Sequence, residues 1–210
     1  MPQPPVDLTT PLSLRTSFSF PLQHKLAKRE VLIGAAWLLV PVVGWLMNMG
    51  HRIKMVHNMH AGRPAWPAWG DSRFLLRHGA ITFAGMAYYG TPGVGLVVAG
   101  LWADSAVLIG VGVLLWVGAV VAIPGYMTHY CRALDPAEIF NPFRALGRVA
   151  QGGSAYWRAW GIALTAMALS FLGLLLAGVG FLATSVWFWQ VAGFSFATVF
   201  TAQLPEPDET

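Results

Sequence analysis

The stretch SAVLIGVGVLLWVGAVVAIPGYMTHY, residues 105–130, decides the fold class of this chain, because it contains no charged side chain. Roughly 20 apolar residues cross a bilayer as an α-helix, so this stretch is long enough to span a membrane. Three further stretches, 31–49, 79–102 and 161–204, also lack Asp, Glu, Lys and Arg. Their lengths predict an all-α integral membrane protein that crosses the lipid bilayer several times.

The composition agrees with a membrane protein. The 210 residues are 56% hydrophobic and only 10% charged, whereas a typical soluble domain carries about 25% charged residues. The formal net charge of +4 is interpreted as membrane topology. It does not indicate nucleic-acid binding, because no run of Lys and Arg is interleaved with aromatic residues. The single cysteine, Cys131, excludes a disulfide within the chain.

The apolar runs predict a helical bundle of about five segments with Pro and Gly breaks. The segments are 31–49, 79–102, 105–130, 156–177 and 180–202, and together they form a membrane domain, 31–202. A polar leader with a short interfacial segment, 1–30, precedes this domain, and an acidic tail, 203–210, follows it. Breaks in the bundle are expected at Pro41, Pro92 and Pro124, because proline removes a backbone hydrogen bond from a helix.

One amphipathic helix is predicted over 135–151, between the third and fourth segments. Asp135 and Pro136 suit the start of a helix, and Gly152-Gly153 suits its end. Apolar residues such as Phe143 and Leu146 fall near one face and Arg144 and Arg148 near the other. Such a helix either lies on the membrane surface or packs on the ends of the spans.

The positions of Lys and Arg predict the topology. These residues favour the cytoplasmic side of an inner (cytoplasmic) membrane. If all five segments span, the two long loops and the C-terminus share one side and carry most of the 13 Lys and Arg residues. The prediction is therefore a multi-pass protein with cytoplasmic long loops and C-terminus. The leader's basic residues would then lie outside, unless the first segment enters the membrane and returns at Pro41. We favour five spans, with this re-entrant segment as the alternative.

The sequence shows no recognisable catalytic machinery. No ionisable residue lies deep in an apolar run, which predicts no buried ionisable group and argues against a proton- or ion-coupled pump. No paired carboxylates, Gly-x-Ser-x-Gly, His-Glu-x-x-His or phosphate-binding Gly-rich loop with a Lys is found. We therefore predict that the protein is not an enzyme and has no catalytic residues and no cofactor.

Two local clusters remain as candidate sites. The first contains His51, Met55, His57, Met59 and His60, and imidazole with thioether suits copper. The alternative, which we favour, is a juxtamembrane helix with Met facing apolar neighbours and His facing headgroups. No metal site is therefore predicted, and copper remains a hypothesis.

The second cluster is the basic loop after the first segment. Its Arg and Trp residues could form a surface for anionic lipid headgroups, where each Lys or Arg adds about 1 kcal/mol. The alternative is that the basic residues only enforce topology. The candidate headgroup residues are Arg63, Trp66, Trp69, Arg73 and Arg77.

Several short motifs occur in an order typical of one membrane family. They are Phe18-x-Phe20-Pro21, Leu32-Ile33-Gly34-Ala35, Pro41-Val42-Val43-Gly44 and Pro67-Ala68-Trp69-Gly70-Asp71. With these motifs the chain resembles an uncharacterised bacterial and archaeal family of multi-spanning membrane proteins, the domain of unknown function numbered four-zero-one-three. The family often has an acidic residue where this chain has Ala68. The resemblance implies a multi-spanning helical fold and no established activity or site residues.

Three functions are compatible with these observations. The leading hypothesis is a non-enzymatic accessory or assembly subunit, acting in a homo-oligomer or a larger membrane complex. The second is a transporter or permease for a lipid or apolar small molecule, with the segments broken at proline as moving parts. The third is copper handling through the Met/His cluster. A continuous cavity between the helices would favour the second hypothesis.

Overall fold

The computed structural model describes residues 5–201, and within this range the chain is a bundle of α-helices with no strand. The prediction of an all-α bundle is confirmed. Two short 3₁₀ helices, Phe20–Leu22 and Phe171–Leu175, accompany the α-helices. The α-helices are α1 (Leu14–Ser19), α2 (Lys25–Trp37), α3 (Val43–His60), α4 (Ser72–Trp102), α5 (Ala106–Ala133), α6 (Ala137–Phe140), α7 (Pro142–Ser170) and α8 (Val179–Thr201).

Four helical stretches are long and apolar enough to cross a membrane. They are α4, α5, α8 and the continuous stretch Pro142–Leu175. Large apolar side chains such as Leu101, Val107 and Leu114 are exposed along α4 and α5. Such a surface is unfavourable in water and favourable in lipid, so the architecture fits an integral membrane protein.

The first apolar segment, 31–49, does not form one helix. The helix α2 ends at Trp37, Val42 has a left-handed φ of 62°, and α3 begins at Val43. Asn48 then donates hydrogen bonds from Nδ2 to the carbonyls of Gly34 (3.1 Å) and Gly44 (2.9 Å). The segment is therefore a helical hairpin, and among the described residues it is not a candidate span.

The tip of this α2–α3 hairpin is apolar and exposed. Leu39 at the tip is 69% exposed, and Val40 and Val42 are exposed with it. A Cβ atom at Gly44 would overlap the carbonyl of Trp37, so only glycine lets the two helices approach this closely. The alternative of a first segment that returns at Pro41 describes this geometry better than a fifth span. The start of α2 and the end of α3 consequently point to the same end of the bundle.

Not every proline interrupts a helix of the bundle. Pro92 and Pro124 lie inside the helices α4 and α5. A helix of the bundle instead changes direction at Gly153, which has a φ of 52° and divides α7 into two parts. The predicted amphipathic segment, 135–151, corresponds to α6 and the first part of α7. Asn141 caps α7, because its Oδ1 accepts hydrogen bonds from the N–H groups of Phe143 and Arg144, both at 3.1 Å.

The helix α8 is the most enclosed element. Its second half, from Gln190 onward, is almost continuously buried, and α8 contacts α1, α2, α3, α5 and α7. The leader packs on it as well, since Trp187 donates from Nε1 to the carbonyl of Phe18 at 3.2 Å. The predicted segment 180–202 corresponds to α8 as far as Thr201. The predicted acidic tail, 203–210, lies outside the described residues.

Candidate functional site

A buried acid–base pair lies at the base of the α2–α3 hairpin. His51 donates from Nε2 to the carboxylate Oε2 of Glu30 at 2.9 Å, and both residues are only 2% exposed. The prediction that the protein contains no buried ionisable group is therefore wrong. The two residues border the first apolar segment on either side, and the hairpin brings them together.

The basic loop after α3 closes over this pair. The N–H of Ala68 donates to Glu30 Oε2 at 3.0 Å, and Trp69 donates from Nε1 to the Glu30 carbonyl at 3.0 Å. The indole of Trp69 also stacks on the imidazole of His51, with ring centroids 4.2 Å apart. Burial lowers the pKa of His51, although the hydrogen bond to Glu30 opposes this shift. The Nε2–H of His51 satisfies the Glu30 carboxylate.

A cavity adjoins the pair, between the α2–α3 hairpin and α8; most of its surface is apolar, and we call it the polar cavity after the polar residues in its lining. It encloses about 140 Å³. Its polar lining residues are Asn48, His51, Arg52, Ser185 and Gln190, and its apolar ones include Leu38, Trp45, Met49, Met86, Val186 and Trp189.

Gln190 in this cavity has no protein partner for its amide. It is 1% exposed, and neither Nε2 nor Oε1 has a hydrogen-bond partner among the described residues. Leaving a buried polar group unpaired costs about 1–3 kcal/mol for each group. The guanidinium of Arg52, beside Gln190, lies 4.6 Å from the ring centroid of Trp189, a cation–π contact. The cavity thus presents one positive charge and one unsatisfied amide.

An apolar crevice lies on the other side of Arg52 and Trp189. It measures about 330 Å³ and runs between α3, α5, α7 and α8. Arg52 and Trp189 line both the crevice and the polar cavity. The remaining lining residues are almost all apolar and include Trp116, Ile123, Leu164, Met167, Phe188 and Phe196. A site with this division suits a molecule that has a polar group and an apolar chain.

The predicted headgroup surface is only partly exposed. Arg63, Arg73 and Arg77 are exposed. Trp66, however, is 3% exposed and packs on Phe20 with ring centroids 4.6 Å apart. Including Trp66 in that surface is therefore wrong, because a buried indole cannot reach a lipid headgroup. Trp69 is half-buried against His51 and helps to hold the acid–base pair.

The Met/His cluster lies on α3, but its imidazoles have separate partners. His51 bonds to Glu30, His57 donates from Nδ1 to the Cys131 carbonyl at 2.8 Å, and His60 Nδ1 lies 3.4 Å from Thr201 Oγ1. Met55 and Met59 are buried. Within residues 5–201 no group of three or more His, Cys, Asp or Glu residues could hold a metal ion. Copper binding through the Met residues stays a hypothesis.

The sequence points to His51 only as a possible copper ligand and does not point to Arg52, but it carries partial signals for Glu30 and Gln190. Gln190 interrupts the charge-free run 161–204 with a large polar side chain. A search for charged residues alone passes over such a position. Glu30 and His51 border the run that contains Pro41, so a return at this proline predicts that they meet. The contribution of Arg52 to two cavities has no sequence signal, because it depends on how α8 packs against α3.

The chain matches no family model, no curated protein and no solved structure. The resemblance to the family numbered four-zero-one-three therefore remains a prediction. The function has to be argued from the geometry of the acid–base pair, the polar cavity and the apolar crevice.

Proposed function

We propose that this protein binds an amphipathic, lipid-like molecule inside its bundle, as a transporter or permease for a lipid or apolar small molecule. The observation that carries this proposal is the junction at Arg52 and Trp189, where the polar cavity with its unpaired Gln190 meets the apolar crevice. The polar group of the ligand lies in the cavity and its apolar chain lies in the crevice.

The chemistry of the cavity defines the polar group. The Arg52 guanidinium offers several N–H donors, and the Gln190 amide offers both donors and an acceptor. A carboxylate or phosphoryl group accepts from the Arg52 guanidinium and from Gln190 Nε2, a hydroxyl group can also donate to Gln190 Oε1, and a cationic group is repelled by Arg52. A ligand of this kind lowers the penalty of the unpaired buried amide. Only a molecule that enters the bundle can form these hydrogen bonds.

The α2–α3 hairpin is the element that controls entry. It forms one wall of the polar cavity through Leu38, Trp45 and Asn48. Of the three prolines expected to act as moving parts, only Pro41 lies at an interruption between helices, since Pro92 and Pro124 are inside α4 and α5. Displacement of the hairpin tip opens the cavity towards the lipid, and we assign it the gating role.

Binding is tested on protein purified from membranes in a mild maltoside detergent. Native mass spectrometry followed by lipid extraction detects a retained molecule and identifies it. We expect the wild-type chain to retain a lipid-like molecule, and Arg52→Gln and Gln190→Leu to lower this retention about tenfold or more, since hydrogen bonds to charged groups contribute about 1.5–3 kcal/mol. Gln190→Leu should melt at or above the wild-type temperature, because it removes an unsatisfied buried amide.

Matched controls are Gln23→Leu and Arg15→Gln, two exposed residues outside both cavities. Both should retain the ligand like the wild type. Equal retention by the Arg52→Gln, Gln190→Leu and control variants would refute the proposed site. Transport is measured separately, as movement of a fluorescent lipid between the leaflets of reconstituted vesicles. A rate equal to that of protein-free vesicles contradicts the transporter assignment.

An accessory or assembly subunit is the second candidate. The observation in its favour is the surface of the α4–α5 hairpin, where Gly90, Gly95, Gly110 and Gly118 have open space at the Cβ position. Small residues of this kind let a partner helix approach closely. Purification in mild detergent should then recover a homo-oligomer or a larger complex. A monomer with no co-purifying partner counts against this role.

The same proposal includes a location and a topology. The protein lies in the inner (cytoplasmic) membrane with its long loops and C-terminus on the cytoplasmic side. A re-entrant α2–α3 hairpin supports this arrangement, because it brings the leader's Lys25, Lys28 and Arg29 to the same end of the bundle as Arg63 and Arg73. The positive charges then no longer conflict with the preference of Lys and Arg for the cytoplasm.

A further inference from the structure

A second concave surface lies where the ends of α5 and α8 meet α6 and the first part of α7. It is an open pocket of about 690 Å³. It shares no lining residue with the polar cavity or the apolar crevice. The lining residues are His129, Arg132, Ala133, Glu138, Arg148, Gln151 and Phe200, and we refer to it as the basic pocket.

One wall of the basic pocket is held in place by a carboxylate. Glu138 accepts from Arg144 Nη1 at 3.0 Å and from Arg148 Nη2 at 3.2 Å. Arg148 also donates from Nη1 to Gln151 Oε1 at 2.9 Å. These bonds fix the guanidinium of Arg148 at the pocket wall, so little side-chain entropy is lost when it binds an anion.

The lining of the pocket also contains an arginine, Arg132, that no residue within 5–201 neutralises. Arg132, in the last turn of α5, forms no ion pair among the described residues. Glu138 is the only acidic residue in the pocket lining and is already shared between Arg144 and Arg148. The guanidinium groups of Arg132 and Arg148 therefore face a single carboxylate in the lining, and the pocket has a positive excess of one charge.

The neighbouring histidine at the end of α3 responds to this positive charge. Burial first, and then the positive charge of Arg132 with the nearby His129 and His57, lower the pKa of His60 to about 4. His60 Nε2 is also buried without a partner among the described residues. The charge of Arg132 thus acts on its surroundings, which agrees with its having no acidic partner in the part of the chain that the structure describes.

We propose that the basic pocket binds a phosphate-type anion between Arg132 and Arg148. Paired guanidinium groups match the oxygens of a phosphate by geometry and charge. The phosphate is either free or the headgroup phosphate of an anionic lipid, and the chemistry of recognition is the same for both. This site is independent of the lipid-like ligand proposed above, because no lining residue is common to the two.

The test uses the full chain in maltoside detergent and follows its melting temperature, since a ligand that binds only the folded state raises it. Inorganic phosphate is added in one arm. Mixed micelles with phosphatidylglycerol are used in the second arm, and micelles with zwitterionic phosphatidylcholine serve as their control. The variants are Arg132→Gln, which removes the unpaired charge, and Gln151→Glu, which adds a carboxylate to the wall. The matched control is Arg158→Gln, an exposed arginine of α7 outside the pocket.

Two result patterns support the site and separate the sources of phosphate. Stabilisation of the wild type and Arg158→Gln by inorganic phosphate, with affinity lowered about tenfold or more in Arg132→Gln and Gln151→Glu, identifies free phosphate. The same variant pattern with phosphatidylglycerol, and none with inorganic phosphate or phosphatidylcholine, identifies a lipid headgroup.

No stabilisation by either anion overturns the proposal. The proposal is also overturned if Arg158→Gln loses as much affinity as Arg132→Gln, because the anion then responds only to the general positive charge of the surface. If Arg132→Gln does not fold, Gln151→Glu decides alone.

Discussion

At the scale of single residues, the Glu30–His51 pair connects parts of the fold that are distant in the sequence. The carboxylate of Glu30 accepts from both His51 Nε2 and the N–H of Ala68. The two donors satisfy the buried carboxylate, and each donor needs this carboxylate as its hydrogen-bond acceptor. The pair consequently joins α2, α3 and the loop after α3 through one side chain.

Replacing Glu30 by alanine is the first prediction. Glu30→Ala leaves two buried donors without an acceptor, and we expect a loss of about 2–4 kcal/mol in the free energy of unfolding. Thermal unfolding in detergent, followed by circular dichroism, measures the change. Glu30→Gln keeps one acceptor oxygen and should lose less. If Glu30→Ala unfolded at the wild-type temperature, the pair would have no structural role.

The second prediction concerns pH and His60. The pKa of this histidine is lowered from 6.5 to about 4 in the folded protein. The stabilisation by neutral His60 is therefore present above pH 6.5 and is lost as the pH falls towards 4. This pKa difference corresponds to at most about 3 kcal/mol. Unfolding midpoints of the wild type and His60→Gln at pH 7.5 and 4.5 should show a smaller acid-induced drop for the variant. Equal drops would mean that another group controls acid sensitivity.

At the scale of elements, close contacts of helix backbones position α3 against α4. A Cβ atom at Gly50 would overlap the backbone of Leu75, and one at Gly79 would overlap the carbonyl of Leu46. The two helices therefore pack with glycine on both sides of the contact. This packing sets the position of His51 and Arg52, which lie beside Gly50 in the chain.

The third prediction follows from this contact. Gly50→Ala should force α3 away from α4 and cost about 1–3 kcal/mol or more, the range for overpacked cores. It should also reduce binding of the lipid-like ligand, because Arg52 moves with α3. Gly90→Ala is the matched control, since open space surrounds that position. A Gly50→Ala variant as stable as Gly90→Ala would show that the helices can separate without penalty.

At the scale of the whole molecule, the hairpin decides how the ends of the bundle are arranged. Four candidate spans place the start of α4, the loop between α5 and α7, and the end of α8 at one end. The hairpin adds the leader to this end. Among the helix connections within residues 5–201, the short turn at Asp104 and the turn between α7 and α8 lie at the other end.

The fourth prediction tests this arrangement with cysteine labelling in intact cells. Cys131 is buried and provides a low background for a membrane-impermeant maleimide. We expect Asp104→Cys to be labelled from outside and Thr9→Cys, an exposed leader position, to be labelled only after the cells are opened. Labelling of Thr9→Cys in intact cells would instead support a first segment that spans fully.

Several elements were predictable because their signals are local. The segment 105–130 and its neighbours are charge-free over lengths that match a bilayer, and α4, α5 and α8 follow them closely. Asn141 and Gly153 mark helix boundaries through a side-chain cap and a left-handed backbone. The positions of the prolines predicted the breaks between helices less well. A proline removes one hydrogen bond, and the packing of the surrounding bundle decides whether the helix continues, as it does at Pro92 and Pro124.

The sequence by itself determined that this chain is an all-α protein with apolar spans, because the length and hydrophobicity of a segment such as 105–130 are properties of consecutive residues. Only the tertiary structure decided that the segment 31–49 folds back, that Glu30 meets His51, and that Gln190 is buried beside Arg52. These contacts join residues far apart in the chain. Their formation depends on which helix faces pack together, and a pattern of charged and apolar residues along one segment does not specify that choice.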